Sequence, residues 1–184
     1  MHPDISKGKI LISEPFLNDL NFKRTIILLV EHDEEGTLGF ILNKPTGYNL
    51  NQTLEEFPNM NSPLLYGGPV HVNAIQFIYR GENLIEGSRE ILPGLFWGGN
   101  FETLKILSDS QALNTKDFRF FMGYSGWSKG QLEDEINSNA WIVTETSISN
   151  IFSDEPDKLW TEILKSMGKK FAVFASFPEN PSVN

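Results

Sequence analysis

Eleven residues, Gly123-Tyr124-Ser125-Gly126-Trp127-Ser128-Lys129-Gly130-Gln131-Leu132-Glu133, bring three glycines, two large aromatics, two serines and a lysine together. These types serve acyl or phosphoryl chemistry when their spacing is right. A nucleophile elbow needs Gly-x-Ser-x-Gly on a strand-to-helix turn, and here the second glycine, Gly126, comes one place early. A phosphate loop needs its lysine after the last glycine, whereas Ser128-Lys129-Gly130 runs the other way. Glu133, Asp134 and Glu135 then fill the early helix, where a bound phosphate would favour cations. What the spacing does fit is a capping box. Ser128 would take the amide three residues on, and the Gln131 side chain would return to the Ser128 amide.

The glycines and aromatics admit two uses. Gly123 and Gly126 permit positive φ or close backbone approach, and Tyr124 and Trp127 either pack on the core or line a cleft. Gly67-Gly68-Pro69 reads as a turn, with proline fixing φ and the glycines allowing unusual angles. With Asn43 and Lys44 at a strand exit, that turn would shape one end of a groove whose other wall is Tyr124 and Trp127. The candidate binding residues are therefore Asn43, Lys44, Gly67, Gly68, Tyr124, Gly126, Trp127 and Gln131. The same residues also have a plain use as scaffold for an unusual fold.

Glu31-His32-Asp33-Glu34-Glu35 holds ligand types for a hard divalent metal, but residues alternating along a hairpin point to opposite faces. It reads as a solvated acidic loop, without His-x-x-x-His or EF-hand spacing. The histidines are His2, His32 and His71, none of them beside a nucleophile in sequence. No catalytic residue, metal or cofactor is expected.

Strands are expected at residues 9–13, 25–30, 38–42, 64–66, 74–79, 89–97, 118–122, 141–144 and 171–175. The unbroken run Thr25-Ile26-Ile27-Leu28-Leu29-Val30 suits a strand covered on both faces, forming a hairpin with residues 38–42. Leu50, Leu54 and Phe57 have helical spacing, as do Phe101, Leu104 and Leu107 behind a capping Asn100. A third helix is expected over 129–137. The clearest begins near Pro156, carries Leu159, Trp160, Ile163, Leu164 and Met167 on one stripe, and stops at Gly168. Clustered strands with occasional helices give an α+β domain with a mixed, largely antiparallel sheet.

The chain has 184 residues, 40% of them apolar, and no apolar run long enough to span a bilayer. It has no cysteine, which removes disulfides and cysteine catalysis. The start, Met1-His2-Pro3-Asp4, does not read as a signal peptide, so a cytoplasmic location without membrane contact is expected. A formal charge of −9 disfavours direct binding to DNA, because phosphate neutralisation supplies most non-specific affinity.

Together these blocks resemble the YqgE/AlgH family of small bacterial proteins. The resemblance rests on Gly8-Lys9-Ile10-Leu11-Ile12 with Pro15 and Asn21-Phe22, and on residues 31–36 with Gly39 and Asn43-Lys44-Pro45. It continues through Gly67-Gly68-Pro69-Val70, residues 123–135 with Trp141, and Trp160 with Gly168. Lys44 stands where many members carry Arg, giving a point charge in place of a bidentate fork, and Ser128 where Gly is common. The resemblance implies one compact domain over residues 1–184, with a barrel-like sheet and flanking helices. The expected function is a non-catalytic module that binds a small molecule or a protein, or regulates through it. An alternative is a hydrolase or group-transfer enzyme, which would require Ser125 to meet a histidine and an acid in space. A third is a transcriptional regulator. Ligand, partner and oligomeric state stay open.

Overall fold

A computed structural model describes residues 4–178. Residues 1–3, on which the signal-peptide reading partly rests, and 179–184 of the proline-containing tail lie outside them. The strands are β1 (Ile10–Ser13), β2 (Ile26–His32), β3 (Gly36–Ile41), β4 (Pro45–Asn49), β5 (Pro63–Tyr66), β6 (Val70–Arg80), β7 (Arg89–Leu92), β8 (Leu95–Trp97), β9 (Phe118–Ser128) and β10 (Trp141–Thr144). The helices are α1 (Leu50–Thr53), α2 (Phe101–Asp109), α3 (Gln131–Asn137), α4 (Ile148–Ile151), α5 (Leu159–Ser166) and α6 (Lys169–Ala175).

The strands run in the order β10-β1-β2-β3-β9-β6-β8-β7, with β5 also on β9 and β4 on β5. All pairings are antiparallel except β5 with β9, so the sheet is mixed and largely antiparallel, as expected. It is not closed into a barrel, which corrects the barrel-like form the family resemblance implied. β10 and β7 stay at opposite ends of the order. Closure is not needed to bury the strands, because helices cover both faces.

The shared strand β9 organises everything. Its first half pairs with β6 on one side, from Phe118 opposite Tyr79 to Met122 opposite Ile75, and with β5 on the other. Its second half, Ser125 to Ser128, pairs with β3. Three cores follow from this layout. In β2, Ile26, Leu28 and Val30 face a cluster closed by α5, while Ile27 and Leu29 face one closed by α3, the period of two expected of a strand buried on both faces. Phe118 and Phe120 of β9 join Phe77, Tyr79 and Leu104 in the third cluster, closed by α1 and α2. Beside it, Arg119 is almost fully buried; it donates to the carbonyls of Phe118 and Phe152, each at 2.9 Å. Burial lowers its pKa from the ordinary arginine value.

Local signals account for most elements. Asn100 caps α2 by accepting the Thr103 amide at 3.0 Å. Leu159, Trp160, Ile163 and Leu164 are all buried on α5, the stripe read from their spacing. Three expectations fail. Residues 171–175 form the helix α6, not a strand, and α1 ends at Thr53, short of Phe57. Most consequentially, the strand expected over 118–122 does not end there: β9 continues through Gly123 to Ser128.

Candidate functional site

Gly123 lets β9 continue beyond the expected end of the strand at Met122. Its φ of 68° is left-handed, and a Cβ there would lie 2.5 Å from the Gly68 carbonyl oxygen. Conversely, a Cβ on Gly68, at φ 149°, would meet the Tyr124 carbonyl at 2.3 Å. Backbone packs on backbone here, which only glycine permits. The Gly67 amide donates to Met122 O at 2.9 Å, and Gly67 O accepts from the Ile41 amide at 3.0 Å and from the Ser125 hydroxyl at 3.1 Å. Gly67 thus carries the sheet across the gap between β5 and β3. Ser125 is wholly buried in that bond, and its recorded partner is a carbonyl rather than a histidine.

Trp127 turns its indole into the α3 core, where it stacks on Phe22 at 6.2 Å and meets Trp141 edge-on at 6.0 Å. Glu135 of α3 ties this cluster. Its Oε2 accepts from the Trp127 Nε1 at 2.9 Å and the Trp141 Nε1 at 2.7 Å, while its Oε1 accepts from the Gln131 Nε2 at 2.9 Å. The expected capping box forms only by half. Gln131 Oε1 does accept from the Ser128 amide at 3.0 Å, but the Ser128 hydroxyl donates to that same oxygen at 3.2 Å. The helix starts two residues later than expected, with Gly130 in the left-handed region as its N-cap. Residues 128–130 still belong to the strand end and its turn, which explains the shift.

Asn43 and Lys44 anchor backbone. Asn43 Oδ1 accepts from the Ile26 amide and its Nδ2 donates to Arg24 O, both at 2.8 Å. Lys44 Nζ donates to Leu20 O at 3.2 Å and Asn21 O at 2.6 Å. Both residues pin the segment before β2 against the exit of β3.

A groove of about 550 Å³ lies over the β2–β3 hairpin and the second half of β9. Of the candidate residues it is bordered by Tyr124, Gly126 and Trp127; Asn43, Lys44, Gly67, Gly68 and Gln131 lie outside its lining. Tyr124 leans on His71 with ring centroids 5.8 Å apart, and a Cβ on Gly126 would sit 3.2 Å from the Tyr124 ring. The other wall, not foreseen as part of a groove, is Glu31, Asp33 and Glu35 with Thr37 and Leu38. Pairing of Leu38 with Gly126 and with Glu31 sets the two walls side by side. The acidic run was visible in sequence; its neighbour across β3 was not. Glu31 pairs with Arg89 at 2.8 Å, and Asp33 Oδ1 holds the turn by accepting the Glu35 amide at 2.8 Å. His32 Nδ1 lies 2.8 Å from the Thr37 hydroxyl. Among the described residues no three His, Asp or Glu side chains gather as a metal site. The groove can therefore offer carboxylates, an aromatic face and bare backbone.

Fold and groove define a one-domain α+β protein built on one long strand shared by two halves of a sheet. The chain belongs to the AlgH-like family, whose model matches residues 10–172. It is 39% identical over 180 residues to a UPF0301 protein of Chlorobaculum parvum, covering 98% of this chain and 96% of that one. A UPF0301 protein of Cytophaga hutchinsonii is 40% identical over 181 residues, covering 98% and 100%. The solution structure of the AlgH protein from Pseudomonas aeruginosa is similar with a TM-score of 0.74, 25% identity and 97% coverage of each chain. A crystal structure of a Corynebacterium diphtheriae protein shares the fold at TM-score 0.80, with 18% identity and coverage of 96% and 95%.

Proposed function

We propose that the protein is a non-catalytic binding module that holds its ligand or partner in the groove between Tyr124 and the acidic hairpin. It acts in the cytoplasm as a regulator through that contact and does not engage duplex DNA itself. The carrying observation is the groove, because it is concave, part aromatic and part charged, and brings the candidates Tyr124, Gly126 and Trp127 beside the acidic hairpin. Two further features support the reading. The Ser125 hydroxyl is committed to a buried carbonyl, which leaves a hydrolase without its nucleophile. The charge of −9 opposes phosphate contact, and the absence of cysteine suits a reducing compartment.

The test is a fragment screen read by amide chemical shifts, with Gly126→Leu as control. Gly126 is exposed, so leucine there fills the groove, and its Cβ, 3.2 Å from the Tyr124 ring, displaces that wall while the buried core stays in place. Hits should cluster at Thr37, Tyr124 and Gly126 and vanish in the variant. Hits that gather elsewhere, such as around Phe16 and Phe177, would refute the groove. Labelling of Ser125 by a fluorophosphonate would restore the hydrolase reading.

A further inference from the structure

We propose that the groove's occupant is an extended basic segment of a partner protein, added as a strand to the open edge of β9. The inference rests on the groove reading above and names its ligand. β6 keeps pace with β9 only as far as Val70 opposite Tyr124. Beyond that point β3 still pairs Ser125 to Ser128 on one side, and among the described residues no strand lies on the other. The Ser128 amide leaves the sheet on that open side, to the Gln131 side chain. Because N–H directions repeat every second residue in an antiparallel pair, the Gly126 amide points the same way. Gly126 is exposed and has no side chain, so a second backbone can approach it closely. This is the arrangement in which a peptide joins a sheet edge, with main-chain bonds giving affinity and neighbouring side chains giving selectivity.

Charge selects the occupant. Glu31, Asp33 and Glu35 border the groove, and Glu31 already accepts one cation, Arg89, at that wall. The Tyr124 face beside them suits the aliphatic stem of a lysine or arginine. A second copy of this chain would bring another −9, and a nucleic acid would bring phosphates, so both are repelled where a basic strand is drawn in.

The test uses a blocked peptide alternating lysine and valine, titrated into the labelled protein and followed by amide shifts. Shifts are expected at Gly126, Trp127 and residues 31–37, with affinity falling about tenfold or more when salt is raised several-fold. The same peptide with glutamate for lysine should not bind, nor should one N-methylated on alternate backbone nitrogens. Gly126→Leu should lose the peptide while still unfolding cooperatively, with a melting temperature lowered only by the displaced Tyr124 ring. Equal binding of the N-methylated peptide would overturn strand addition yet leave the groove reading intact. Equal binding of the glutamate peptide would overturn the charge argument, and shifts confined to β7 or β10 would overturn the location. Silence from the lysine peptide at millimolar concentration, with fragments still binding the groove, refutes this inference alone; silence from both refutes the two readings together.

Discussion

Glu135→Ala should be among the most damaging single changes on α3, although Glu135 is a partly exposed, acidic helix residue of the kind that surface scans pass over. The carboxylate accepts from two indole N–H groups on residues only 5% and 4% exposed. A hydrogen bond to a charged group contributes about 1.5–3 kcal/mol, and a buried donor left unmet costs about 1–3 kcal/mol. Two orphaned donors with slight access to water put the loss at about 3 kcal/mol. With a urea slope of about 2 kcal/mol per molar, the denaturation midpoint should fall by about 1.5 M. Glu135→Gln, which keeps an oxygen but not the charge, should cost about 1 kcal/mol. The deciding measurement repeats Glu135→Ala in a Trp127→Phe, Trp141→Phe background, where neither donor exists. There the cost should shrink to the loss of the Gln131 contact. A midpoint unmoved by Glu135→Ala, or a cost as large without the indoles, would refute the reasoning and show that water already serves both nitrogens.

Leu164→Ala removes a fully buried side chain from the α5 core and should cost about 2–5 kcal/mol in chemical denaturation. Gly68→Ala and Gly130→Ala separate close approach from backbone angle: Gly130 has nothing within 4 Å of its Cβ position, so only the left-handed strain of about 1–2 kcal/mol applies. Gly68→Ala drives a methyl into the Tyr124 carbonyl and should lose well over twice that, or yield no folded protein, in thermal melts. Tyr66 has its pKa raised above 10.0, first by burial and then by Asp19, so its neutral form is favoured in the fold. The stability it adds is whole below pH 10.0 and declines as pH rises through the folded value. Tyr66→Phe should flatten that alkaline decline in melting temperature.

Much of the sheet was legible because its strands are continuous apolar runs whose burial on both faces leaves no competing pattern, as in residues 26–30. The end of β9 was not. Glycines at 123 and 126 are turn signals by composition, and only the partner backbone at Gly67 and Gly68 reveals that Gly123 serves close approach within a strand. Residues 171–175 carry Phe and Val, which suit a strand, yet docking beside α5 makes them helix; tertiary contact outweighs propensity over so short a span. β4 escaped notice because Pro45, Gly47 and mostly exposed side chains give it no alternation, and pairing with β5 alone defines it. Of the candidate site, Tyr124 and Gly126 were findable as chemistry and Glu31 to Glu35 as charge. Their adjacency depends on the β3–β9 register, which separates them by some ninety residues of chain and leaves no local trace. Asn43 and Lys44 were read as ligand groups because a polar pair at a strand exit looks the same whether it binds a molecule or its own main chain.

The late position of β9 has a consequence for biosynthesis. Every strand that pairs with it, β3, β5 and β6, is made earlier, and the last residue to pair with β3 is Ser128. A nascent chain that has not yet released that residue from the ribosome holds two half-sheets with nothing between them, and both present open hydrogen-bonding rims to solvent. Pausing of translation within this window should therefore favour aggregation or chaperone capture. A synonymous-codon variant slowed while β9 is still held inside the ribosome would yield less soluble protein of identical sequence, whereas one slowed over the last codons of the chain would not.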